Sequence, residues 1–212
     1  MGDALGLRRQ WWSVVARPVE GLASAGHSGA PLRTGLAALA LVLGTYTLIL
    51  LVFLLRDYPA AAPSVLPLTV EEQYAYQIWY QGPLFLAMTA ALAWLLAGVS
   101  DRSGSEAAGF PGVFAQVSLA TTVPFALTTM LVEAVVAVLV LVGLVTPDEA
   151  LGWLTGEGAG FAAAYQLAGV LWVVALLAVV ARLATGVRWH LAAVLGLLLA
   201  AAYGLPIGLL IR

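Results

Sequence analysis

The chain has no cysteine and no lysine, and only 9% of its 212 residues are charged. Without thiols there is no disulfide framework, no thiolate nucleophile and no cysteine-ligated metal. All nine basic residues are arginine, a usage that points to a GC-rich bacterial genome and says nothing of mechanism. The two histidines, His27 and His190, lie far apart, one in a Gly/Ser-rich stretch and one at a helix start. They read as solvated at an interface, so no metal site and no cofactor are expected. A net charge of -2 and the absence of a basic stripe argue against a nucleic-acid partner. No nucleophile elbow, phosphate loop or paired His-Glu motif occurs, so no catalytic residue is assigned and the chain reads as non-enzymatic.

What the chain has in excess is apolar surface: 62% of residues are hydrophobic and the mean hydropathy is +0.99. A water-soluble domain of this size does not need that much to fill its core, so this is an integral membrane protein. Hydrocarbon about 30 Å thick is crossed by about 20 helical residues. Five runs satisfy this: Gly35–Leu55, Pro83–Val99, Pro124–Val145, Phe161–Ala184 and Leu191–Ile211. The expected fold is all-α, with five transmembrane helices and interfacial amphipathic helices. Residues 1–34 form a cytoplasmic N-terminal segment and residues 35–212 the five-span domain.

The first thirty residues are too polar for a signal peptide and are expected to stay. Leu5, Trp11, Trp12, Val14, Val15, Val19 and Leu22 interleave with Arg8, Arg9, Arg17 and Glu20, the pattern of a helix lying in the membrane interface. Pro18 kinks or restarts it, and the Gly/Ser-rich run Gly21–Pro31 releases the chain into span one. After span one, Arg56-Asp57-Tyr58-Pro59 and a Pro/Ala-rich stretch to Leu68 read as an extended loop. Thr69 and Glu72 have capping-box spacing, which starts a helix near Val70. Tyr74, Tyr76, Trp79 and Tyr80 follow as an aromatic belt, with an aromatic ligand pocket as the other reading. Gly82-Pro83 predicts a kink, or a break between an interfacial helix and span two.

Val113–Thr122 is either a short re-entrant or interfacial helix before a span opened by Pro124, or the first part of one Pro-kinked helix. Thr146-Pro147-Asp148-Glu149 is a complete helix start, leading a short interfacial helix to about Leu154. Arg182 can snorkel from the end of span four, and Trp189 anchors the interface before span five. Gly204 and Gly208 have the spacing for close helix contact. With the N-terminus cytoplasmic, inner segments hold Arg8, Arg9, Arg17, Arg33, Arg102, Arg182 and Arg188, and outer ones only Arg56 and Arg212. The arginine asymmetry therefore places the C-terminus outside.

Glu133 is the one charge near the middle of an apolar span, where an ionisable group is costly and faces a partner or a cavity. Taking that span as Pro124–Val145, Glu133 lies about 13 Å from its inner end. Tyr46, Thr89 and Trp172 fall near the same level, and Arg182 is the cation that reaches inward. These residues form a candidate polar layer around a helix that stands as the central post of the bundle. Helix-to-helix glue and a proton or solute site are its two main readings, with a shallow, water-exposed position as the third.

The order of features resembles the Yip-type membrane domain family (Ypt/Rab-interacting proteins), including its bacterial members. The similarity rests on the amphipathic segment with Pro18, on Gly109-Phe110-Pro111-Gly112 followed a dozen residues later by Pro124, and on Trp172 with the break Thr185-Gly186-Val187-Arg188 before a final span. The glycine pair is interrupted by Phe110-Pro111, and Thr122 stands where an aromatic is expected. The resemblance implies a five-span protein without known catalysis, linked in eukaryotes to small GTPases, vesicle traffic and membrane shaping. No functional residue carries over. The expected role is a membrane-organising or partner-binding scaffold of the bacterial inner membrane. A solute, proton or lipid transporter, or an anchoring subunit of a larger complex, is the alternative. Expected partners are the bilayer and other membrane proteins or further copies of the chain. A small GTPase would find only a short interfacial helix to engage.

Overall fold

Both capping boxes spelled out in the sequence are made. In the computed structural model, which describes residues 2–59, 68–103 and 108–211, Thr69 N–H donates to Glu72 Oε2 (2.8 Å) and Glu72 N–H returns to Thr69 Oγ1 (3.3 Å). Helix α4, Val70–Ser103, begins at that box, and the equivalent box at Thr146 and Glu149 begins α7, Pro147–Thr155. The remaining helices are α1 (Gly2–Ala16), α2 (Pro18–Gly26), α3 (Pro31–Leu55), α5 (Gly109–Phe125), α6 (Leu131–Leu141), α8 (Ala159–Thr185) and α9 (Trp189–Ile211). Among the described residues the fold is all-α. Five helices are long and apolar enough to span a membrane: α3, α4, the run from α5 through α6, α8 and α9. The chain is a multi-pass membrane protein. The Pro/Ala-rich stretch 60–67 and Arg212 lie outside the described residues.

Two sequence ambiguities resolve toward continuity. Pro83 sits inside an uninterrupted α4 rather than at a break. Gly109–Leu141 is one helix, not a re-entrant piece plus a span, with a π-helical turn at Ala126–Met130 joining α5 to α6. Pro124 explains the turn's position. It has no N–H for the Ala120 carbonyl and its ring crowds that carbonyl, a defect costing about 3 kcal/mol in a regular helix. Resetting the ladder by one wider turn absorbs it.

This continuity changes which segment is central. Every residue from Gly112 to Pro124 is buried, and α5 packs against α1, α2, α3, α4 and α8. In α6 only Ala137 and Val140 are buried. The post of the bundle is therefore α5, the part before Pro124, while the half carrying Glu133 lies nearer the edge. The hydroxyls along the post are satisfied by their own helix. Ser118 donates to the Phe114 carbonyl (2.8 Å), Thr121 to Val117 (3.0 Å) and Thr122 to Ser118 (2.6 Å).

Pro18 restarts the N-terminal helix as α2, and the Gly/Ser-rich run that follows is not a loose tether. Gly21–Gly26 is helical, and α2 folds back on α1 so closely that a Cβ on Gly21 would stand 2.6 Å from the Ser13 backbone. Val14, Leu22 and Ala25 are fully buried, and a Cβ on Gly112 of α5 would meet the Gly26 carbonyl at 2.5 Å. The small residues that suggested a flexible exit instead allow α2 to dock on the post. In α9 the close approach is made by Gly196, whose Cβ would lie 2.6 Å from Ala178 N, whereas Gly204 faces open space. The surroundings of Gly208 lie outside the described residues.

Candidate functional site

Because α5 and α6 form one long helix, Glu133 lies eight residues from its C-terminal end, about 12 Å in depth. Tyr46, nine residues from the end of α3, shares that level. Thr89 and Trp172 sit about 28 and 20 Å from the same face, and Arg182 is at the opposite one. The candidate layer therefore separates into three places.

Glu133 and Tyr46 line a cavity of about 350 Å³ in the half of the bundle away from the N-terminal helices. Leu50 and Phe53 of α3 complete one wall, and Tyr58 follows from the turn after it. Gln73, Tyr74 and Gln77 of α4 form the second wall, and Thr128, Thr129, Val132 and Val136 of the π-turn and α6 form the third. The fourth comes from Leu154 and Thr155 of α7 and Ala159, Ala162, Tyr165 and Gln166 of α8. Phe53 stacks on Tyr58 with centroids 4.5 Å apart and lies tilted against Tyr74 at 6.2 Å. Tyr58 is buried, and its hydroxyl has no hydrogen-bond partner among the described residues. Burial raises its pKa, and the charge on Glu133 raises it further. Among the described residues, none that lines the cavity is basic.

The π-turn supplies this site with its shape. Tyr165 O–H donates to the Leu127 carbonyl (2.6 Å) and Thr128 O–H to the Pro124 carbonyl (2.7 Å), so two carbonyls around the turn are occupied. Gly169 of α8 lies directly against Thr128. Arg56 donates to the Leu141 carbonyl, placing a cation at the C-terminal end of α6 and tying it to α3.

Thr89 belongs to a second, inner site. Its hydroxyl is 3.4 Å from Tyr203 Oη of α9. Rings connect the two levels: Tyr46 meets Phe125 edge-on (5.1 Å), Phe125 meets Phe85 (5.7 Å), and Phe85 meets Tyr203 (5.9 Å). Trp172 packs half-buried against the main core. Arg182 does not reach inward. Its guanidinium donates to the Val187 carbonyl (2.8 Å) and lies 4.6 Å from the Trp189 ring centroid.

Of the aromatics read as interfacial anchors, Trp12, Trp79, Tyr80 and Trp189 are exposed, and Tyr76 stacks on Tyr80 at 4.4 Å. Tyr74 instead turns inward to the cavity, and Trp11 packs against the core with its indole nitrogen buried. Unread in the sequence were Gln73, Gln77 and Gln81, all buried and spaced four apart on one face of α4, with Gln81 Nε2 donating to Thr47 Oγ1 (2.9 Å). That spacing beside an apolar run was the available signal. Compared with protein-family models, with curated proteins and with solved structures, the chain matches none.

Proposed function

We propose that this protein is a non-enzymatic binder of a small polar solute, taken into the cavity around Glu133 as part of carrying or sensing it. The cavity itself carries the reading. Its volume is in the range of small-molecule sites, it is largely apolar, and a few polar groups converge in it. Its setting is the inner membrane of a bacterium, with the N-terminus cytoplasmic and the cavity toward the outer face. Supporting that orientation, Arg8, Arg9, Arg17, Arg33, Arg182 and Arg188 gather at the end opposite the cavity. The chain has no native cysteine, so the test is a single Cys at position 133. A small water-soluble thiol reagent should modify Glu133→Cys; a dry, unreactive thiol overturns the reading.

The scaffold role expected from the sequence becomes the second reading. It is supported by α9, which packs chiefly on α8 and α4 and leaves Leu191, Val194, Leu197, Leu198 and Leu205 outward. Other membrane proteins or further copies of the chain would cover that flank. Mass measurement of the detergent-solubilised protein should then find an assembly, and a monodisperse, unaccompanied monomer removes this reading. Docking of α1 and α2 on α5 makes the N-terminal segment part of the bundle, which weighs against it as an independent membrane-shaping arm.

A further inference from the structure

We infer that the cavity solute is an organic cation, a small alkylammonium compound held between the Glu133 carboxylate and the rings of Tyr46, Phe53, Tyr58 and Tyr74. The inference rests on the solute-binding reading and specifies its ligand class. Three features of the lining carry it. The first is charge: among the described residues lining the cavity are a carboxyl group and no basic side chain, which favours a cation over an anion. The second is the aromatic wall. Tyr46 and Phe53 share the α3 wall, Tyr58 stacks on Phe53, and Tyr74 lies against Phe53 from α4, so four rings line the space and supply the quadrupoles that attract cations. The third is size. At about 350 Å³ the space is far larger than a bare metal ion fills, and among the described residues no three His, Asp or Glu converge as ligands. A cation with a greasy shell satisfies all three, because its methyl groups replace water against Leu50, Val132 and the rings. Tyr58 and Glu133 line the same cavity, so the ring and the carboxylate act on the same space.

Calorimetry on the full chain in lipid nanodiscs, with choline and its neutral isostere 3,3-dimethylbutan-1-ol as probes, tests this. Choline should bind saturably and at least tenfold tighter than the alcohol. Glu133→Gln, which keeps the shape, should weaken choline at least tenfold and leave the alcohol unchanged. Tyr58→Leu should weaken choline about tenfold, while Tyr58→Phe, which keeps the ring, should stay within threefold of wild type. If the alcohol binds as tightly as choline, or Glu133→Gln leaves choline unaffected, the cation inference falls and the solute site stands. If neither probe binds but Glu133→Cys reacts with thiol reagents, the cation inference again falls alone. If neither probe binds and that thiol is dry, both fall.

Discussion

A Cβ on Gly169 would stand 2.9 Å from Thr128 Cβ, and neither the π-turn nor a short threonine side chain can yield easily. Gly169→Val should therefore push α8 from the π-turn, lowering stability by about 1 to 3 kcal/mol. Gly204→Ala meets nothing within 4 Å and should fall within about 0.5 kcal/mol of wild type. Thermal unfolding in one detergent compares the two, and equal melting temperatures would refute the assigned contact. Sequence spacing favoured Gly204, which faces open space, over Gly169 and Gly196, which touch neighbours. Gly204 and Gly208 match a common motif, but which glycine touches a neighbour depends on how that helix is rotated, and a motif inside one helix carries no such information. Glu133 was legible for a stronger reason: a charge in hydrocarbon is costly wherever the neighbours are. Tyr46 was matched to it correctly, but Thr89 and Trp172 were not, because the depth of Glu133 was counted from Pro124, while the real helix starts at Gly109.

At the scale of elements, local signals were read well and long-range docking poorly. Both capping boxes lie within four residues, and both form as their residues dictate. The Thr146 backbone N–H, then its hydroxyl, hold the Glu149 carboxyl below its usual value of 4.5. A depressed carboxylate contributes stability that is present above its unfolded pKa and lost as pH falls through the folded one. Amide exchange in α7 should thus be unaffected by lowering pH from 7 to 5, beyond the intrinsic rate change, and lose protection below about 4.5. Thr146→Ala should accelerate α7 exchange about fivefold at neutral pH, the equivalent of about 1 kcal/mol for a lost cap. Unchanged protection would show that α7 is held by packing alone. The docking of α2 on α5 was unreadable because glycine and serine in sequence signal either a flexible tether or a close approach. Gly112→Val, which would meet the Gly26 backbone, should undock the N-terminal helices and raise trypsin cleavage after Arg9 about tenfold or more. Resistance equal to wild type would mean that α1 and α2 hold without this contact.

For the whole molecule, five apolar stretches were legible because hydrocarbon selects composition directly, and span counting needs no knowledge of packing. Their arrangement around α5 was not, since helices in lipid associate through shape and small-residue contacts rather than through a hydrophobic difference visible in sequence. The span count nevertheless makes a strict demand: five crossings put the loop after α2 and the loop after α7 on opposite faces of the membrane. The cysteine-free chain allows this to be read with one thiol at a time. His27 and Glu157 are both exposed and flank the bundle at its two ends. In intact cells an impermeant maleimide should label Glu157→Cys and spare His27→Cys until the membrane is opened. Labelling of both from one side would break the five-span fold. Labelling of His27→Cys alone would keep the fold and reverse its orientation, turning the Glu133 cavity toward the cytoplasm, so that any solute it holds would be drawn from inside the cell.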